Sequence, residues 1–272
     1  MKENFYIFLD FTKKLLIRDR STIRTMVARD LRAQYVSSIF GLLWAVLEPI
    51  SQLAIYGMFF GVFLKSKVDP VYGTDSFFIY LLCGLIPWQF FAQSVNSSTN
   101  AIVSNSNLVR KAVGFPSEIL TIIKVLTNSI GHLIGMALLL VIVSVFTGVT
   151  PYVPLFFVYL FFSALFAVGI GWILSSANAY LKDIEKVMGV VMMAWFFFTP
   201  IFYSPSIIPE AALPFIRLNP MYHVVVGYRY AILAGKFLPW RDFLYLAVVS
   251  FATFGIGGIV FRKLKPGFAE VL

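Results

Sequence analysis

The sequence is short of charge, of cysteine and of histidine, and each shortage closes off a class of function. Charged residues make up 13% of the 272 positions, while hydrophobic residues reach 59%. A soluble domain carries roughly 25% charge, so the balance is that of an integral membrane protein. The only cysteine, Cys83, lies in an apolar segment, which excludes an intrachain disulfide and leaves the redox compartment undetermined. Cys/His spacing of the metal-binding kind is missing. There is no G-x-x-x-x-G-K-S/T loop to hold ATP phosphates and no G-x-S-x-G elbow. Acidic pairs at membrane depth are lacking too. Glu48 is the one carboxylate deep in an apolar run, which argues against a proton- or sodium-coupled transporter. No repeat relates the two halves, and the strand alternation of a membrane barrel is absent. Irregular backbone cannot face lipid, so the spans are expected to be helices. The N-terminus has no apolar core or small-residue cleavage site of a signal peptide, and the first span is expected to act as its own insertion signal.

What is present is organised around residues 34–64, QYVSSIFGLLWAVLEPISQLAIYGMFFGVFL. The run is long enough to cross a bilayer, yet Glu48 and Pro49 interrupt it. Trp44, Glu48, Gln52 and Tyr56 recur at i, i+4 spacing and share one helical face, which should look at protein or a polar passage. Two readings of Glu48 remain open. It is either a functional group at depth, because an ionisable side chain there is costly unless paired or wetted, or a carboxylate near the inner headgroups that caps a neighbouring helix.

Upstream, residues 1–18 separate Phe5, Phe8, Leu9, Leu15 and Leu16 from Lys2, Lys13, Lys14 and Arg18, the pattern of a helix in the membrane interface. Residues 21–35 space Ile23, Val27 and Leu31 four apart among Arg24, Arg29, Asp30 and Arg32. They read as a short basic helix leading into the first span, or a plain solvated one. Further spans are expected at about 76–103, 119–146, 155–180, 187–203 and 243–261, after a first at 39–64. Pro87 should kink the second. Beyond it Gln93, Asn96, Asn100, Ser104 and Asn107 form a polar stripe that belongs against protein or water. Residues 105–118 are a docking helix or a loop, the spacing fitting both. In the third span Lys124 is expected to snorkel to the inner interface and His132 to donate a hydrogen bond to another helix. Gly169 and Gly171 permit close helix approach in the fourth. The stripe Met188, Met192, Trp195, Thr199 and Phe202 in the fifth either packs or lines a passage. Residues 205–236, broken by Pro205, Pro209, Pro214 and Pro220, fit short helices dipping into the membrane edge.

Charge sets the orientation. With six spans, one side holds eight basic residues before the first span, three between 110 and 124, two between 182 and 186 and three in the tail. The other side holds six of the 22. Both termini are therefore expected in the cytoplasm. The net charge of +9 is then a topology signal with anionic-lipid contact, and no nucleic acid is needed to explain it.

Several blocks carry a family resemblance: RDLRAQYVSSIFGLLWAVLEPI at 29–50, GLIPWQFFAQSVNSSTNAIVSNSNLVRK at 84–111, NAYLKDIEKV at 178–187, FFFTPIFY at 196–203 and LNPMYHVV at 218–225. Together they resemble the permease subunit of bacterial ABC exporters that move O-antigen and related lipid-linked polysaccharides. The resemblance implies an all-α membrane protein with six spans (36–272), preceded by an amphipathic interface segment (1–35). It implies a homodimer in the bacterial inner membrane with two copies of a separate ATPase subunit. ATP and Mg would be bound there, with no cofactor on this chain and no catalysis by it. The cargo would be an undecaprenyl-linked polysaccharide. A coupling helix would lie at 105–116, with Asn107, Leu108, Arg110, Lys111 and Phe115 facing the ATPase, and re-entrant gate helices at 205–236 with Tyr222, His223, Tyr228 and Arg229.

A conduit for sugars needs aromatic surfaces for their C–H faces and scattered hydrogen-bonding groups. Trp44, Tyr56, Trp88, Trp195 and Tyr203 are the aromatic candidates, with Glu48, Gln52 and Asn96 as polar partners. Arg18, Arg24, Arg29 and Arg32 could attract the lipid pyrophosphate at the inner leaflet. Capsule and teichoic-acid permeases share this plan. So do exporters of drugs or small lipids, and a membrane transferase using Glu48 or His223 as base is the rival from another class.

Overall fold

The computed structural model describes residues 20–35, 68–111 and 115–272, with single positions between 47 and 59. The interface helix read at 1–18, Arg18 included, and the face made by Trp44, Glu48, Gln52 and Tyr56 lie outside the described residues. Among the described residues the regular structure is all helical, with no strand. Helix α1 is Arg20–Tyr35, α2 is Phe77–Thr99, α3 is Ala101–Ser104 and α4 is Ser106–Lys111. Then come α5, Ile119–Phe146, α6, Phe156–Tyr180, and α7, Ile184–Phe198. The last third holds α8, Leu213–Arg217, α9, Pro220–Arg229, α10, Trp240–Leu264, and α11, Phe268–Val271.

Among the described residues four helical stretches are long and apolar enough to cross a membrane: Phe77–Thr99, Ile119–Phe146, Val153–Tyr180 and Trp240–Val271. Helix α7 has 15 residues, about 22 Å at 1.5 Å per residue, short of a hydrocarbon core of about 30 Å. The expected fifth span included residues 199–203, which are not helical. Thr199 is extended, with φ −100° and ψ 133°, because the ring of Pro200 disfavours helical backbone before it. Pro87, by contrast, lies inside the assigned length of α2.

Prolines and polar caps punctuate the last third. Pro214 and Pro220 sit in the first turns of α8 and α9, where the missing N–H costs nothing. Asn219 caps α9, its Oδ1 accepting from the Met221 N–H at 3.0 Å. A π turn, Tyr230–Ala234, follows and is closed by Gly235 in the left-handed region, φ 60°.

Helix α2 is the axis of the molecule. It packs on α5, α6, α7 and α9, and most of its side chains are buried. Apolar burial does not drive helix association inside lipid, so close packing has to. At the α6–α10 crossing this means backbone on backbone. A Cβ at Gly169 would stand 2.5 Å from the carbonyl oxygen of Thr253, and one at Gly257 would collide with the Gly169 carbonyl. Beside them Trp172 is fully buried against Phe254, centroids 4.8 Å apart, and its indole N–H donates to the Glu118 carbonyl at 3.0 Å. Apolar side chains left outward on α5, α6, α7 and α10, such as Val145, Phe157, Val190 and Phe251, are what a lipid-facing perimeter requires.

Candidate functional site

Between α2 and α7 runs a groove of about 360 Å³ lined by Trp88, Gln89, Gln93, Asn96, Gly189, Met192 and Phe196, among others. Gln93 and Asn96 are the exposed members of an otherwise buried stretch of α2. Gln93 lies four residues after Gln89 and Asn96 three after Gln93, which stacks the amides along one face. The aromatic wall is Trp88 against Phe196, centroids 5.5 Å apart. Gly189 keeps the groove open, for a Cβ there would meet nothing within 4 Å. Trp88 and Asn96, two of the residues expected to contact polymer, thus meet here. Gln89, Gly189 and Phe196 were not singled out from the sequence; the stripe through Gln93 was the available signal, one turn too short.

Trp195 and Tyr203 lie elsewhere. The Trp195 indole donates to Asn219 Oδ1 at 2.8 Å and the ring meets Phe91 edge-on at 5.2 Å. Its free edge borders a separate apolar hollow of about 280 Å³ with Phe198, Ala212, Phe215, Ile216 and Asn219. Tyr203 donates to the Phe197 carbonyl at 3.1 Å, bracing the turn that ends α7.

The four residues expected at a gate are almost entirely enclosed. Arg229 is 0% exposed and has no carboxylate partner among the described residues. Its Nη1 donates to the Pro200 carbonyl at 2.6 Å, Nη2 to Ile201 at 2.7 Å and Nε to Tyr80 at 3.3 Å. The guanidinium also lies 3.6 Å from the centroid of the Tyr80 ring. One side chain therefore pins α9 to α2 and to the turn after α7. The neighbouring Tyr228 hydroxyl meets His132 Nε2 at 2.9 Å, the interhelical bond expected of His132. His223 Nε2 lies 2.7 Å from the Arg217 carbonyl, and Nδ1 is 3.6 Å from Asp242 Oδ1. With both nitrogens turned to protein, His223 is poorly placed as a general base.

At the other end of the bundle, Lys124 does not snorkel freely. Its Nζ pairs with Asp30 Oδ2 at 2.6 Å, because α1 packs on α5 and brings a largely buried carboxylate to it. Arg24, Arg29 and Arg32 are all exposed, and Arg29 also reaches Asp30 and Asn105 at 3.2 and 3.3 Å. On α4, Asn107 and Arg110 are exposed while Leu108 and Val109 turn inward. Phe115 also packs on the core, and the Lys111 side chain lies outside the described residues. Helix α11 packs against α4, held by Phe268 against Tyr180 and Phe261 and by Lys265 Nζ on Glu118 Oε2 at 2.6 Å. Among the described residues no cluster of His, Cys, Asp and Glu has the makeup of a metal site.

Similarity to known proteins gives the family. The chain is 27% identical over 247 residues to the O-antigen export system permease protein RfbA of Klebsiella pneumoniae, covering 90% of this chain and 92% of that one. It is 27% identical over 259 residues to the protein of the same name in Myxococcus xanthus, covering 94% and 96%. The polysialic acid transport protein KpsM of Escherichia coli is 26% identical over 244 residues, covering 89% and 92%. Residues 21–233 match the ABC-2 type transporter membrane model, and the chain belongs to that family.

Proposed function

We propose that the chain is the membrane permease of an ABC exporter that moves a lipid-linked polysaccharide of the O-antigen type across the bacterial inner membrane. ATP hydrolysis, with its Mg, resides on a separate subunit. Two copies of the permease, each with six spans, both termini in the cytoplasm and an N-terminal interface helix, enclose the conduit. The re-entrant segment formed by α8 and α9 stands at its outer end.

The observation that carries the reading is the α2–α7 groove. Half-buried Phe196, backed by the buried Trp88 ring, offers an apolar face to sugar C–H groups, while Gln89, Gln93 and Asn96 exchange hydrogen bonds with hydroxyls. None of these groups is charged, so a polymer is held weakly enough to slide. Helix α7 is tied to the base of α2 through Asn100, whose amide donates to Glu185 Oε1 at 3.2 Å. Movement of α4, which precedes α5 by a short connection, thus has a path to the groove wall. The ATPase would grip the exposed Asn107 and Arg110, biasing closed and open arrangements by its nucleotide state.

The test is to fill the groove without touching the partner surface. Gly189→Trp should stop polymer reaching the cell surface while the ATPase still co-purifies with the permease. Undiminished export would remove the groove from the conduit.

A further inference from the structure

At the outer end, away from the groove, a pocket of about 220 Å³ opens between the turn Pro70–Tyr72 and the α8–α9 segment. It is lined by Asp69, Tyr72, Ser206, Arg217, Tyr222 and Tyr230, among others. Its makeup differs from the rest of the perimeter. Tyr72 and Tyr222 have rings that are 2% and 4% exposed, yet their hydroxyls have no hydrogen-bond partner among the described residues and are not sealed from solvent. Half-buried Tyr230 and exposed Arg217 complete the polar lining at its rim. Tyr72 and Tyr230 stand with centroids 5.9 Å apart. Several hydroxyls thus open onto one hollow, where a ligand carrying hydroxyls of its own can take the place of water against them.

The lining also says what kind of ligand. Asp69 offers a carboxylate that accepts from the Val71 N–H at 3.1 Å and from Ser204 Oγ at 3.4 Å, with lone pairs to spare. A carboxylate repels phosphate and sulfate but takes hydroxyl donors. Arg217 supplies donors for ring and hydroxyl oxygens, and the tyrosines supply both donors and flat apolar faces. The volume is below the roughly 300–1,000 Å³ of sites for drug-sized ligands, which suits a single ring.

We propose that this pocket is a monosaccharide subsite that holds one neutral sugar residue of the polymer after it has passed the conduit. The proposal rests on the exporter reading for the origin of the polymer, but its chemistry belongs to the pocket alone. Holding a ring here weakly, on the far side of Arg229 and α9, resists back-slip between strokes without trapping the chain.

The experiment uses the full-length chain in lipid nanodiscs and saturation-transfer NMR with free D-glucose, D-galactose, D-mannose and L-rhamnose as separate probes, and inorganic phosphate observed in parallel. At least one sugar should bind in the millimolar range. Tyr222→Phe and Arg217→Gln should each weaken it by about threefold to tenfold, the loss of one hydrogen bond. No sugar signal, a signal unchanged in both variants, or binding of phosphate in place of sugar would overturn the subsite. The same preparations are assayed for a co-purifying ATPase. Its presence with no sugar binding leaves the exporter reading standing and the subsite refuted; its absence with variant-sensitive sugar binding does the reverse.

Discussion

Replacing Arg229 should uncouple α9 and the turn after α7 from α2, and the size of the effect follows from the bonds it makes. Arg229→Met keeps much of the side-chain volume but removes the donors to the Pro200 and Ile201 carbonyls, at 2.6 and 2.7 Å. Each buried carbonyl left unpaired costs about 1–3 kcal/mol. The two short bonds together put the loss at roughly 2–6 kcal/mol, which for a chain of this size lowers the melting temperature by on the order of 10 °C. Arg229→Lys should recover little, since an ammonium cannot fork to two carbonyls while lying over the Tyr80 ring. Gly84 reports on the same spot, because a Cβ there would stand 2.7 Å from Arg229 Nη2. The assay is tryptophan-fluorescence melting of purified protein, with limited proteolysis across residues 199–219. Wild-type melting and unchanged cleavage in Arg229→Met would refute the idea that this side chain holds the turn after α7 against α2 and α9.

Other consequences are as direct. Gly257→Val should force α6 and α10 apart at their crossing and cost at least about 1–3 kcal/mol by overpacking, read as a lower melting temperature and a poorer monodisperse yield. Gly255, whose added Cβ meets nothing within 4 Å, should tolerate the same change. Asp30→Lys should loosen α1 from α5 by setting like charges face to face, and Asp30→Lys with Lys124→Asp should restore it, measured by protease access to residues 20–35. Arg110→Glu should reduce co-purification of the ATPase while leaving the melting temperature near wild type, because Arg110 is exposed.

The long helices were legible because apolar length is a property of the sequence itself. Residues 119–146 read as a span, and the helix Ile119–Phe146 occupies the same stretch. The end of α7 was not legible in the same way, since residues 199–203 are as apolar as a span while Pro200 bars the helix from continuing. His132 announced itself by its i+4 spacing from Lys124 and Asn128, a polar line in an apolar span that needs a partner on another helix. The partner, Tyr228, comes from the most irregular stretch, and no spacing rule reaches across it. Lys124 was misread for a related reason, because a lysine near a span end ordinarily reaches water, and only the packing of α1 delivers Asp30 to it. The groove was half visible, as a stripe of amides without the facing wall of α7, and the outer pocket was invisible because its residues come from separate turns.

The central claim is that polymer passes along the α2–α7 groove, powered from another chain. A photo-crosslinking residue placed at Gln93, in inverted membrane vesicles holding the permease, its ATPase and labelled lipid-linked polymer, tests it most directly. The account predicts capture of polymer at this position when ATP is supplied, and loss of capture at the same position when Gly189→Trp is added. Full transport into the vesicles with no capture at Gln93 would contradict it.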